Sequence, residues 1–184
     1  GIAFEADGAM YVVEMGGYPI RPDESLPLGR IKRLVDKDLD GYYESWTLFA
    51  DGLQYPTSVL PWRDGILVAQ PPDILFLRDD DEDGSADSQE TLFSGFPVGN
   101  TQHNINGLVW GLDNWVYAAN GGNHGAGYAT KAPHEVVSIR GMDFRFRPDT
   151  GELETSYETT GGHGITFDPW GRMFGTHNIN HVQH

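Results

Sequence analysis

One short phrase returns four times along the chain: GIAFEADGAMYVVEM (1–15), SVLPWRDGILVAQ (58–70), GLVWGLDNWVYAAN (107–120) and GITFDPWGRMFGTHN (164–178). Each reads as a short strand, a tight turn carrying Asp or Gly, and a second short strand. With Ile2, Val59, Leu108 and Ile165 taken as equivalent, the steps are 57, 49 and 57 residues. Two further strand candidates fill each interval, such as GRIKRLV and ESWTLFAD in the first. Four short strands in about 50 residues is the period of a β-propeller blade. The fold class expected is therefore all-β, a β-propeller of about three and a half blades. The blade-like repeats run approximately 1–56, 57–106, 107–163 and 164–184. A stack of hairpins in a sandwich is the alternative, and the repeated phrase counts against it.

Local composition agrees. Runs such as MYVVEM, GILVAQ, ILFLR, WVYAAN and DFRFRP are rich in Val, Ile and aromatic residues and are bracketed by Gly, Pro, Asn and Asp. That is the pattern of short strands with turns. No window sustains an i, i+3, i+4, i+7 apolar stripe, so almost no helix is expected. The 24 Gly and 11 Pro fit turn-dense β-structure. Five Trp, eight Tyr and nine Phe supply a core that a disordered chain would lack. A propeller needs more blades than this to close, so the chain reads as a piece of a longer protein, whose open edge strands want a partner.

The formal net charge of −15 excludes the basic surfaces that nucleic acid and anionic membranes select. It fits cation binding, or a secreted protein kept soluble by charge. The absence of cysteine excludes disulfides, thiolate metal sites and covalent c-type haem within these residues. No apolar run reaches the roughly 18 residues of a membrane span.

The densest charge lies in LRDDDEDGSADSQETLF (77–93), with six acids from Asp79 to Gln89. It parses as D-x-D-x-D-G-x-x-D: Asp79, Asp81, Asp83, Gly84 and Asp87. A twin lies 43 residues upstream: Asp36, Asp38, Asp40, Gly41 and Glu44. Alternate carboxylates converge in a tight loop, Gly permits the sharp turn, and such hard oxygen donors suit Ca²⁺, with the carbonyls of Tyr42 and Ser85 as further donors. Glu90 stands at the twelfth position, where an EF-hand places its bidentate acid. The twin has Thr47 there, and both loops have strand-like flanks where an EF-hand needs helices. Two structural calcium loops linking adjacent blade strands are therefore expected. A solvated acidic turn is the competing reading, weakened by the second copy. Without a cation, so many clustered acids would repel one another.

A second dense region is GNTQHNINGLVWGLDNWVYAANGGNHG (99–125). His103 sits just before the first strand of the third repeat, and Asn104, Asn106, Asn120, Asn123 and His124 fall on the flanking loops. In a propeller, the loops entering each inner strand face the ligand-binding channel. A His there has the titration range of a general base. A His that merely hydrogen-bonds a turn is the simpler alternative. His163, and the trio His177, His181 and His184, rank below it as metal ligands because i, i+4 spacing serves a metal only on a helix.

These phrases, taken in order from GRIKRLVDKDLDGYYESWTLFADG to FDPWGRMFGTHN, resemble the membrane-bound dehydrogenase domain of planctomycete-type bacteria. That domain is in turn similar to the soluble pyrroloquinoline-quinone (PQQ) glucose/sorbosone dehydrogenases. The resemblance covers nearly the whole chain. It implies a six-bladed propeller, periplasmic or secreted, often joined to a c-type cytochrome module. It also implies a sugar or alcohol substrate and PQQ as cofactor. In the soluble enzymes the catalytic His precedes a strand reading roughly H-x-x-G-x-L-x-φ-G-x-D-x-x-φ-Y. HNINGLVWGLDNWVY matches with His103, Leu108, Gly111, Asp113 and Tyr117, the Gly falling one place late at Gly107. His103 is then the residue that abstracts a hydroxyl proton, with Asn104, Asn120 and Asn178 the candidate cofactor-binding residues. The Arg-Asn pair those enzymes place before the next blade is missing from TTGGHGITF. Two alternatives stay open: a non-catalytic carbohydrate- or protein-binding module, and a calcium-centred propeller that opens lactones.

Overall fold

The computed structural model describes residues 1–18, 27–158, 162–177 and 181–182. These hold sixteen strands, one 3-10 turn at Thr101–His103 and no α-helix. No helix among them is long and apolar enough to cross a membrane. The chain divides into two compact units, 1–70 with 75–90, and 71–74 with 91–184.

All four recurring phrases are antiparallel hairpins. In the first unit, β1 (Ile2–Phe4) and β2 (Met10–Glu14) continue into β3 (Gly29–Val35) and β4 (Ser45–Leu53), in sheet order β1-β2-β3-β4. The next sheet holds β5 (Ser58–Trp62), β6 (Gly65–Gln70), β7 (Asp73–Arg78) and β8 (Ser88–Ser94), again in consecutive order. The boundary between the units runs through β7 and β8. Four antiparallel strands in sequence order make a propeller blade.

Burial along the strands follows their place in the blade. The second strand β6, GILVAQ, is buried at five consecutive positions, as a strand packed on both faces must be. The outer strand β4, SWTLFADGL, buries only Phe49 and Leu53. The core of the first unit gathers Tyr11, Ile31, Phe49, Leu53, Val59, Ile66, Val68, Leu75 and Leu77. Tyr11 meets Phe49 edge-on at 5.1 Å. Its hydroxyl donates to Glu5 Oε2 (3.3 Å), which also pairs with Arg33. Burial, reinforced by the Glu5 charge, pushes the Tyr11 hydroxyl up to about 12 from an ordinary 10. The neutral form is thus favoured in the folded protein. Its contribution is fully present below pH 10 and is lost as pH rises through about 12. Denaturant melts across this window should show wild type losing on the order of 2–3 kcal/mol more than Tyr11→Phe.

In the second unit, β9 (Asn106–Trp110), β10 (Val116–Ala119), β13 (Met142–Arg147) and β14 (Glu152–Glu158) form a sheet ordered β14-β13-β10-β9. Here Phe93, Phe96, Phe144 and Phe146 are all essentially fully buried, with Phe96 stacked on Phe144 at 4.9 Å. β15 (Ile165–Phe167) and β16 (Met173–Gly175) pair as the last hairpin. Between β10 and β13 lies an insertion that periodicity did not announce: β11 (Ala126–Ala129) and β12 (Val137–Ser138). β11 pairs with the end of β8 in this unit, Tyr128 opposite Ser94 and Ala129 opposite Phe93. It covers backbone groups that an outer strand would otherwise leave unpaired.

Candidate functional site

The two acidic loops have twin geometry. The first joins β3 to β4. Asp36 Oδ1 accepts from Leu39 N (2.7 Å) and its Oδ2 from Gly41 N (2.8 Å). Asp40 Oδ1 accepts from Tyr42 N and Glu44 Oε2 from Lys37 N. The second joins β7 to β8, with Asp79 Oδ2 on Gly84 N (2.8 Å), Asp83 Oδ1 on Ser85 N and Asp87 Oδ2 on Asp80 N. The fourth and sixth positions are left-handed in both: Leu39 and Gly41 at φ 61° and 91°, Glu82 and Gly84 at 62° and 89°. Carboxylate oxygens of Asp36, Asp38, Asp40 and Glu44 lie within 4.8 Å of one another, as do those of Asp79, Asp81 and Asp87. Such groups could bind a metal ion. Asp83 accepts from Ser85 N as Asp40 does from Tyr42 N, but it is not among the three acids that converge in the second loop. Glu90 lies within β8, and no helix flanks either loop, so neither is an EF-hand.

The second loop is also laced to β4. Thr47 Oγ1 donates to Gly84 O (2.9 Å), Ala86 N to Phe49 O (2.7 Å) and Ser85 Oγ to Leu48 O (3.4 Å). Thr47, which fails as a twelfth ligand, thus has another use: it ties the loop of one blade to the outer strand of its neighbour.

His103 closes the 3-10 turn ahead of β9, and the turn is capped by Asn100, whose side chain accepts from Gln102 N. Because β9 and β10 form a hairpin, the end of β10 returns to the same edge. There His103 Nδ1 lies 2.6 Å from Gly121 O. A carbonyl only accepts, so Nδ1 carries a proton, and in the neutral ring the lone pair is then on Nε2. This is the tautomer a general base at Nε2 requires.

Gly121 has no substitute at that point. Its φ is +75°, and a Cβ would fall 2.4 Å from Asn104 O and 2.6 Å from His103 O. Gly121→Ala is expected to cost roughly 1–3 kcal/mol from the left-handed backbone alone, with the clash adding to it. The variant should lower the Tm and broaden or shift the His103 imidazole signals in NMR spectra.

The asparagines divide by use. Asn106 is spent on structure: its Nδ2 donates to Asn104 O and Gly162 O, and its Oδ1 accepts from Gly164 N. It stitches β9 to the loop before β15, where a Cβ on Gly107 would lie 2.6 Å from Gly164 Cα. Asn120 is wholly buried, and its Nδ2 donates to Ile139 O and Met142 O. Asn104 is 2% exposed, and neither of its side-chain polar atoms has a partner among the described residues. Asn178 lies outside the described residues, as does His184. His163, His124 and His181 are exposed. Asp113 and Tyr117 lie at the opposite end of the hairpin, where Asp113 Oδ2 binds Arg145 (2.7 Å) and the Tyr117 hydroxyl (2.9 Å). The residues that reasoning on the sequence passed over are Gly121 and Asp143. The only trace of the first was the Gly-Gly after Asn120.

The family described as Domain of unknown function (DUF7133) matches residues 1–184. No curated protein matches the chain significantly. Among solved structures, a gluconolactonase from Xanthomonas campestris superposes with a TM-score of 0.56 at 19% identity. It is matched over 94% of this chain and 52% of its own, so the chain spans about half of that protein. A catalytically inactive virginiamycin B lyase from Staphylococcus aureus, bound to quinupristin, gives a TM-score of 0.48 at 16% identity over 99% and 64% of the two chains. The likeness to the first, together with the four-stranded blades, makes this a propeller-type fold.

Proposed function

The chain belongs to the DUF7133 family, and from that premise we propose that it is the His103-bearing part of an exported, calcium-braced propeller. The site binds a sugar-like compound and takes a proton from one of its hydroxyls. The observation that carries this reading is the Nδ1–H bond of His103 to Gly121 O, which in the neutral ring leaves Nε2 as the proton acceptor. A half-buried His whose ring is oriented by a backbone carbonyl is arranged as a general base is, its second nitrogen left for a substrate proton. Calcium is the cation that best suits the two loops, because their donors are hard carboxylate oxygens. A sugar lactone is the substrate of the gluconolactonase by its name. That likeness of fold guides only the choice of test ligands.

PQQ fits these loops poorly. It carries three carboxylates, and the stretches 95–105, 120–125 and 159–164 contain no Lys or Arg. Asn120 is committed to backbone carbonyls, and the amide of Asn104, though unpartnered among the described residues, is buried. The proposal therefore takes no step through the quinone. A second reading, in which a quinone-dependent dehydrogenase draws its carboxylate-binding groups from residues outside this chain, with a c-type cytochrome as electron acceptor, rests on the match of His103, Leu108, Gly111, Asp113 and Tyr117 to those enzymes.

Calorimetric titration of the full-length protein, with Ca²⁺, against monosaccharides, sugar lactones and PQQ tests both. Sugar binding without PQQ, weakened in His103→Ala, is the expected result. PQQ binding followed by sugar-dependent dye reduction supports the dehydrogenase. Sugar binding indifferent to His103 and without turnover leaves a binding module and overturns the proposal.

A further inference from the structure

We propose that Asp143 and Asn120 form the positioning device for His103, fixing its tautomer through the backbone of Gly121. The inference rests on the reading of His103 as a base.

Gly121 O can select the proton position on His103 only if the carbonyl itself is held. The nearest anchor along the chain is the residue before it. The main-chain N–H of Asn120 donates to Asp143 Oδ1 at 2.8 Å, and both residues are 0% exposed. The Asn120 side chain reaches on to Ile139 O and to Met142 O (3.0 Å), so the amide spans the turn that leads into β13. Asp143 is the second residue of β13, a strand paired directly with β10. Asp143 thus holds the Ala119–Asn120 peptide and the Asn120 amide is held to the turn before β13, and the backbone of Asn120 and Gly121 carries that anchorage on to Gly121 O and His103 Nδ1. Asp143 Oδ1 accepts from that N–H in either protonation state, and burial keeps water from competing for the bond. Asp143 is a buried acid within the strand MDFRFR, at a position where core packing alone would favour an apolar residue. Its use is to set the end of β10.

The test uses full-length protein with ¹⁵N-labelled histidine, reading the His103 tautomer from its nitrogen shifts. Wild type should show the Nδ1–H form alone. Asp143→Ala should populate the Nε2–H form and, where turnover is measurable, lower kcat by up to about 10²-fold with KM little changed, the cost of a misplaced reacting group. Asp143→Asn, which keeps an acceptor oxygen, should restore the wild-type tautomer. If Asp143→Ala does not fold, Asn120→Ser removes the amide bonds from the other half of the device and should give the same mixture. A folded Asp143→Ala or Asn120→Ser with the wild-type tautomer overturns the inference. The tautomer is read without ligand, so a failure of the base reading would appear separately, as turnover that survives His103→Ala.

Discussion

His103→Ala is expected to lower turnover of the full-length protein on its sugar-like substrate by about 10²–10⁴-fold, the share a positioned general base supplies. The fold should tolerate the change. Among the described residues the ring makes one hydrogen bond, to Gly121 O, and one such bond contributes about 1 kcal/mol net. His103→Gln sharpens the test, because its amide can still donate toward Gly121 O yet offers no basic nitrogen. It should keep substrate affinity near wild type and lose turnover as fully as the alanine variant. Steady-state kinetics on both, beside thermal melts, would separate a missing base from a damaged fold. Turnover that persists in His103→Gln would remove His103 from the chemistry.

The second large effect concerns the cation. Removing Ca²⁺ with a chelator should lower the Tm by roughly 5–10 °C for each loop emptied. A site held at 100 times its Kd contributes about 2.7 kcal/mol, and each kcal/mol is worth about 2–4 °C in a chain of this length. The two loops should respond separately. Asp36→Asn should remove one part of the shift and Asp79→Asn the other. Emptying the second loop should also loosen β4, because Ala86 N is bonded to Phe49 O and Thr47 to Gly84 O. Faster exchange of the Ala86 amide would report this. A melt indifferent to chelator, with no heat of calcium binding, would make both loops acidic turns whose carboxylates do no more than accept backbone amides.

Much of the fold was legible because its signals are local and repeated. The four hairpin phrases carry their turns within a few residues of their strands, and β1–β2, β5–β6, β9–β10 and β15–β16 form where the phrases stand. The acidic loops were legible for the same reason: spacing in a nine-residue turn decides which side chains converge. Even there the sequence could not show that Asp40 joins the first cluster while its counterpart Asp83 is left out of the second. The insertion β11–β12 escaped notice because its strands are short and weakly apolar. It is stabilised by pairing with β8, more than thirty residues upstream, and no local pattern records such a partner. The site was half legible. His103 stood out by chemistry and by position before a strand. Asn104, Asn106 and Asn120 looked alike as polar loop residues, and only tertiary structure separates the unpartnered amide of Asn104 from the two that bind backbone. Asp143 gave no signal, since a single acid among apolar strand residues reads as an outward-facing position until its burial is seen.

The central claim, that Nε2 of His103 faces the reacting hydroxyl, is tested most directly by a crystal structure of the full-length protein with a bound monosaccharide or sugar lactone. The account predicts a ligand oxygen about 2.6–3.2 Å from Nε2, with Nδ1 still bonded to Gly121 O. A ligand bound elsewhere, or a His103 ring turned so that Nε2 faces protein and no ligand oxygen, would contradict it.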